Sequence, residues 1–436
     1  MPQKKNNSKQ TEVSAGQNGD KPQNAYFLSL ELENVRCFGK RQRIDFSDNN
    51  GNQKRWTIIL GDNGTGKTTI LQVLLNFFDT IMLGNHLINL KGNYLLLNSR
   101  KLVDFSLQNF SETFTKLTLG EIRKKLILSC DSEKAFLGAI FAYGALRRAG
   151  ETSISDQNGE SFYETLFDET ALLLNPEEWL IRTHYESLLK SEFQGKRRRK
   201  VNKVIETLTR ILPDVGEIRF GEKTKNNKSE AVIEFKTPYG WVESKDLSLG
   251  YRTSMAWMVD FASRMFDLYP ESENPLAEPA VVLIDEIDLH LHPKWQRELI
   301  DFLTNLFPNT QFIVTTHSPL IVQAAAARDA NIVVCRREGD HVVIDQSVEA
   351  VRGWRADQIL TSDLFDLPST RDTELEKLEK QRRKILSKAK LTKADEKKVK
   401  ELSAELDNLR VMENPEDDKA MDIIRRAAAH LQNGES

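Results

Sequence analysis

Between Trp56 and Phe78 the chain commits itself to one local architecture. Trp56-Thr-Ile-Ile-Leu60 is a β-branched apolar run and reads as a strand. It passes straight into Gly61-Asp-Asn-Gly-Thr-Gly-Lys-Thr68, and the apolar spacing from Ile70 to Phe78 reads as a helix. The loop has the form G-x-x-x-x-G-K-[ST], with a strand before it and a helix after it, the context this motif requires. Gly61, Gly64 and Gly66 let the backbone turn tightly and aim its N–H groups inward at a triphosphate. Lys67 is placed to reach the β- and γ-phosphates, and Thr68 to offer a hydroxyl to Mg²⁺. The helix N-terminus adds positive potential. Asp62, Asn63, Thr65 and Thr69 complete the expected ATP-binding segment.

Composition sets the compartment and the partners. The 436 residues can build a large core. With 39% hydrophobic and 29% charged residues they describe an ordinary soluble protein. A net charge of -3 gives no overall attraction to DNA or membrane, although local patches can still act. Cys37, Cys130 and Cys335 are too few and too scattered for a disulfide framework or a zinc site, so they read as core thiols in a reducing cytosol. No apolar run approaches the roughly 20 residues that span a bilayer, and the N-terminus has no hydrophobic signal core. A cytoplasmic protein without a membrane partner is expected.

Five segments differ in character. Residues 1–25 are polar and aperiodic, as in a disordered tail. Residues 26–80 alternate at Phe27, Leu28, Leu30 and Leu32, continue through a short strand at Arg41–Phe46, and end in the phosphate loop and its helix. Residues 81–215 are mostly helical in pattern, with Phe141-Ala-Tyr-Gly-Ala-Leu-Arg-Arg148 and the basic run Lys196-Arg-Arg-Arg-Lys200 standing out. Residues 216–350 open on a period-two hairpin and a helix from Gly250. They continue through the buried strands Ala280–Asp285 and Gln311–Thr315 to a last hairpin at Asn331–Gln346. Residues 351–436 are charged. There Leu375, Leu378 and Ile385 form one stripe, Val399, Leu402, Leu406 and Leu409 another, and a Thr392/Asp395 capping box stands between them, the pattern of a helical hairpin. Asn414-Pro415 closes it, and Met421, Ile424 and Leu431 mark a further amphipathic helix.

The chemistry converges on a second strand. Ala280-Val-Val-Leu-Ile-Asp-Glu286 ends in adjacent carboxylates: Asp285 is placed to hold Mg²⁺, and Glu286 to act as general base on an attacking water. His317 follows the next buried strand, where it can sense the γ-phosphate. Leu247-Ser-Leu-Gly-Tyr-Arg252 precedes the acid strand and opens a helix. Ser248 and Gly250 would present a hydroxyl and free N–H groups to an anion, the alternative being a plain Ser N-cap.

In this order the motifs resemble those of ABC-type ATPases. Leu247–Arg252 resembles their LSGGQ signature, with Leu249 in place of the first glycine and Tyr251 where Gln is common, a loosened form typical of the RecF/SMC-like branch. Leu32-Glu-Asn-Val-Arg-Cys-Phe38 is similar to the opening strand of such heads. Asp285-Glu-Ile-Asp-Leu-His-Leu-His-Pro293 resembles the small bacterial antiphage ATPases of the OLD, PtuA and AriA kind. Tyr143-Gly-x-x-Arg147, Thr316-His-Ser-Pro319 and Gln358–Phe365 have look-alikes in that group as well. The resemblance implies an α/β fold, an ABC-type P-loop ATPase head with a mixed β-sheet and flanking helices. A helical insertion would lie between phosphate loop and signature, and a helical hairpin at the C-terminal end.

The resemblance also implies a mechanism and partners. Two subunits would sandwich two ATP molecules with Mg²⁺, the phosphate loop of one facing Ser248–Gly250 of the other, in a homodimer or a higher even-numbered homo-oligomer. Asp288 matches the segment that lines such an interface. Arg147 matches the region of the Q-loop, with a structural salt bridge as the competing account. No Toprim pattern and no His-Asn-His finger follows, so no intrinsic nuclease domain is expected. Three roles stay open. The first is a defence sensor or switch controlling a separate effector such as a nuclease or toxin, docked on the C-terminal helices. The second is a RecF-like repair clamp contacting DNA through Lys196–Lys200, a run that otherwise reads as a solvated helix face. The third, weakest on the divergent signature, is a transporter motor.

Overall fold

A computed structural model describes residues 26–82, 102–107, 139–148, 164–188, 194–211, 215–225, 228–346, 351–365, 367, 369–370, 373–388 and 392–409. The expected disordered tail, Cys130 and the helix around Met421, Ile424 and Leu431 lie outside these residues. The chain divides into two compact units, Met1–Ile359 and Leu360–Ser436.

The first unit is organised by a six-stranded sheet. Its members are β3 (Trp56–Gly61), β5 (Ala139–Tyr143), β9 (Ala280–Ile284), β10 (Thr310–Thr315), β11 (Asn331–Glu338) and β12 (His341–Asp345), in the order β12-β11-β3-β10-β9-β5. Every pairing is parallel except that of the β11–β12 hairpin. A parallel sheet covered on both faces calls for unbroken apolar strands. Ala280–Ile284 and Thr310–Thr315 are buried at every position. Trp56 stacks on Phe312 across the β3–β10 pair, with ring centroids 4.3 Å apart.

A smaller antiparallel sheet, β2-β1-β4, is built from β1 (Phe27–Glu33), β2 (Gln42–Asp45) and β4 (Leu102–Leu107). Leu30, Leu32, Ile44 and Phe46 from it share one core cluster with Ile59 and Ile313 of the large sheet. The same cluster takes Ile70 and Leu74 from α1 (Lys67–Met82), the helix that leaves the phosphate loop. Each such side chain contributes about 1.5–3 kcal/mol of burial free energy, so the loop is clamped between well-packed elements at both ends.

Among the described residues of the stretch 81–215, helices and strands stand side by side. The stretch supplies α2 (Pro176–Leu188) and α3 (Gln194–Ile211), but also β4 and the edge strand β5. A short apolar run such as Ala139-Ile-Phe-Ala-Tyr143 carries no periodicity that separates a buried strand from a helix. Its parallel partner β9 decides the matter. The period-two region beyond it is a three-stranded meander, β6 (Glu217–Lys225), β7 (Lys228–Thr237) and β8 (Gly240–Glu243).

Three helices complete the part that matters for the site: α4 (Leu249–Leu268), α5 (Pro293–Leu306) and α6 (Pro319–Ala326). No helix of the described residues is long and apolar enough to cross a membrane. In the second unit α7 (Thr373–Leu386) and α8 (Lys393–Leu409) contact one another, with Leu402 and Leu406 buried. Asp395 closes the capping box: its carboxylate accepts from the backbone and hydroxyl of Thr392, and its own N–H donates back to Thr392 Oγ1.

Candidate nucleotide site

The phosphate loop is built as its glycines require. Gly61, Gly64 and Gly66 have φ of 143°, 79° and 82°. At Gly66 a methyl group would stand 2.5 Å from Cys37 Sγ and 2.9 Å from the Phe38 ring, so both conformation and space exclude a side chain there. The segment therefore folds back over Cys37 and Phe38 and leads its N–H groups into the first turn of α1. Asp62, Asn63 and Gly64 are exposed at the tip, whereas Thr65, Lys67 and Thr69 are buried. The Lys67 ammonium donates to the carbonyls of Gly61 at 2.8 Å and Asp62 at 2.9 Å. Burial lowers its pKa, with Asp285 the strongest opposing influence.

Sheet order explains how the acid pair meets this loop. β10 lies between β3 and β9, so the last residue of β10, Thr315, falls between the phosphate loop and the acids. Asp285 is gripped from both sides: Thr68 Oγ1 donates to its Oδ2 and Thr315 Oγ1 to its Oδ1, each at 2.6 Å. Thr315 Oγ1 also accepts from the Glu286 N–H at 2.7 Å. Glu286 itself has a left-handed backbone (φ 48°), which carries the chain off the sheet immediately after Asp285. Among the described residues no cluster of three or more His, Cys, Asp or Glu side chains is arranged to hold a metal. Thr68 and Asp285 together form a two-oxygen set, the kind a phosphate-sharing Mg²⁺ uses.

His317 is exposed just beyond β10. Its neighbours are the fixed points. Thr316 Oγ1 donates to Asp288 Oδ1. Ser318 caps α6, accepting from the N–H groups of Leu320 and Ile321, and donates to Gln296 Oε1 at 2.6 Å. Gln296 in turn donates to the carbonyls of Leu291 (3.0 Å) and Asp288 (3.4 Å). The loop after the acid pair and the histidine-bearing loop thus form one hydrogen-bonded unit. Thr315 and Gln296 were not singled out in the sequence, because neither residue type marks a site by itself.

Among the described residues Arg147 makes no carboxylate salt bridge, the competing account of it. Its guanidinium donates to the backbone carbonyls of Asp285 (3.0 Å) and Glu286 (2.8 Å), and the residue is only 2% exposed. Burial pushes its pKa down to about 10, against the pull of Asp285, then Asp288 and Glu286.

Ser248 and Gly250 occupy a different surface. Ser248 is the N-cap of α4 and accepts from the Tyr251 N–H at 3.5 Å. Gly250 is pressed against the loop that follows the acids, where a methyl group would lie 2.3 Å from the His290 carbonyl. A cavity of about 320 Å³ opens here, lined by Ser248, Gly250, Tyr251, His290, Lys294 and Trp295 among others, with no phosphate-loop residue in its wall. The basic run Lys196–Lys200 lies in the first turns of α3, and Arg198 is exposed.

A largely parallel sheet with a strand–phosphate loop–helix unit, an acid strand one place removed, and a capped Ser-x-Gly helix start makes the α/β fold of an ABC-type P-loop ATPase head. A family model described as "AAA domain, putative AbiEii toxin, Type IV TA system" matches residues 130–323. The chain is 27% identical over 358 residues to the Septu protein PtuA of Bacillus mycoides (strain KBAB4), covering 79% of this chain and 45% of that protein. It is 49% identical over 88 residues to the "Retron Vc95 probable ATPase" of Vibrio cholerae serotype O1 biovar El Tor, covering 20% of this chain and 17% of that one. The chain spans less than half the length of these curated relatives. Among solved structures, an SMC head bound to the C-winged helix domain of ScpA aligns with 73% of this chain and 97% of that chain, at 16% identity and a TM-score of 0.39.

Proposed function

We propose that the chain is a cytoplasmic, ATP-hydrolysing switch of bacterial antiphage defence, which closes as a dimer on ATP and controls a separate effector such as a nuclease or toxin. The observation that carries this reading is the separation of two half-sites. Thr68, Asp285, Thr315 and Glu286 interlock at the phosphate loop, while Ser248 and Gly250 line a separate cavity beside His290. A second copy would complete each site. Similarity to the Septu and retron proteins supports the defence role.

At the completed site, the loop N–H groups and Lys67 would hold the β- and γ-phosphates. Thr68 and Asp285 would hold Mg²⁺, which when bound offsets phosphate charge. Glu286 would take a proton from water as the water oxygen bonds to the γ-phosphorus and the bridging P–O bond to ADP breaks. Thr315 keeps Asp285 and the Glu286 backbone aligned, and His317 would meet the γ-phosphate.

The test is ATP turnover and self-association of the full chain, with Glu286→Gln and Ser248→Arg beside it. Glu286→Gln is expected to bind ATP, accumulate as a dimer and lose turnover by about 10²–10⁴-fold, the usual contribution of a general base. Ser248→Arg is expected to abolish turnover and spare ATP binding. Wild-type turnover by Glu286→Gln removes the assigned base. Strong stimulation of the isolated chain by plasmid DNA favours the repair-clamp alternative instead.

A further inference from the structure

The N–H and carbonyl groups of Asp285 and Glu286 all have partners, and three of the four are met by the segment Tyr143–Arg147. The Asp285 N–H donates to the Tyr143 carbonyl at 2.8 Å, and the Ile287 N–H donates to the Thr315 carbonyl at 3.0 Å. The carbonyls of Asp285 and Glu286 both accept from Arg147. A left-handed φ at a non-glycine residue costs energy and persists only where its surroundings hold it. Three groups hold Glu286: Thr315 Oγ1 accepts from its N–H, the Leu289 N–H donates to its carbonyl at 3.0 Å, and the Arg147 guanidinium spans that carbonyl and the one before it, which Lys, with its single nitrogen, cannot reproduce in one planar fork.

Arg147 is in turn held through the strand it leaves. Tyr143 OH donates to Asp260 Oδ2 at 2.9 Å, inside the core, and Arg264 Nε donates to the same oxygen at 2.7 Å. Tyr143 lies against Trp257 (5.7 Å between centroids), and Phe141 meets Phe261 edge-on at 5.0 Å. Asp260, Trp257, Phe261 and Arg264 all belong to α4, the helix whose first turn carries Ser248 and Gly250. At Gly144 a methyl group would lie 1.9 Å from the Thr165 carbonyl, so the turn between Tyr143 and Arg147 has no room to relax.

From these contacts we infer that Arg147 is the positioning residue of the hydrolytic site. It holds the Glu286 backbone in the conformation that aims the general base, and the buried Tyr143–Asp260 bond ties it to the signature helix α4. The inference rests on the ATPase reading above. Engagement of the α4 N-terminus by a second subunit would be transmitted to Glu286 through Asp260, Tyr143 and Arg147, a path of packed and hydrogen-bonded groups.

The experiment compares Arg147→Lys, Arg147→Ala and Tyr143→Phe in the full chain, measuring ATP affinity with a fluorescent ATP analogue, kcat and KM separately, and thermal unfolding. Arg147→Lys is expected to lower kcat by about 10²-fold, the lower end of what a general base supplies, with ATP affinity within about 3-fold of wild type, a margin under 1 kcal/mol. Added guanidinium ion is expected to restore part of the turnover of Arg147→Ala and none to Glu286→Gln. Tyr143→Phe, a conservative change, is expected to lower kcat without moving KM. If Arg147→Lys turns over ATP at the wild-type rate, or if kcat and ATP affinity fall together with no rescue, Arg147 is structural only and the inference is overturned. A wild-type chain without turnover overturns the ATPase reading itself, and this inference with it.

Discussion

Replacing Thr315 by Val sets two physical arguments against each other. Thr315 is fully buried at the C-terminal end of the central strand β10, opposite Ile59 of β3. Apolar burial and β-propensity alone make Val, with the same shape and one more methyl group, the better residue there. The hydrogen bonds argue the opposite. The lost hydroxyl donates to the Asp285 carboxylate at 2.6 Å and accepts from the Glu286 N–H at 2.7 Å. A hydrogen bond to a charged group contributes about 1.5–3 kcal/mol, and a buried donor left unmade costs about 1–3 kcal/mol. The methyl group returns about 0.8 kcal/mol of burial. A net destabilisation of about 3 kcal/mol is expected for Thr315→Val. Thr315→Ser keeps the hydroxyl and loses one methyl, so about 1 kcal/mol is expected. Urea unfolding of the full-length variants, with the slope held in common, reads the difference. A Val variant as stable as wild type, or more stable than the Ser variant, refutes the hydrogen-bond account.

Two further outcomes follow from the same contacts. Gly66→Ala places a methyl group 2.5 Å from Cys37 Sγ in a left-handed backbone; binding of a fluorescent ATP analogue should be lost, and an unchanged affinity would show that the loop relaxes freely. Asp395 has its pKa held down from 3.8 to about 2, chiefly by Lys388 and then by Thr392. A carboxylate depressed in the folded state stabilises above its unfolded pKa and loses that contribution as pH falls toward the folded value. The stability gap between wild type and Asp395→Ala, followed by helical circular dichroism, should therefore close between pH 3.8 and about 2. A gap that stays constant or widens on acidification contradicts the capping box as its source.

Much of the candidate site was legible because its pieces are local. A strand, a glycine loop and a helix follow one another from Trp56 to Phe78, and β3 and α1 occupy those positions. The runs at Ala280 and Gln311 lack alternation because parallel strands are covered on both faces, and they became β9 and β10. The Thr392/Asp395 box spans three residues and formed as its pattern implied. Local spacing carries such information without knowledge of what packs where.

What only the tertiary structure decided depends on separations that no periodicity encodes. The carbonyls that Arg147 grips lie 138 and 139 residues away, and they belong to the backbone, which has no residue identity to read. Thr315 reached its role because β10 falls between the phosphate-loop strand and the acid strand in the sheet order. The run Ala139–Tyr143 has no periodicity of its own to separate strand from helix, and it is a strand because β9 offered a parallel edge. The sequence by itself determined that a strand–glycine loop–helix unit and an acid strand exist. Folding determined their alignment, because hydrogen bonds to backbone groups and the order of strands are properties of the packed chain and not of any segment within it.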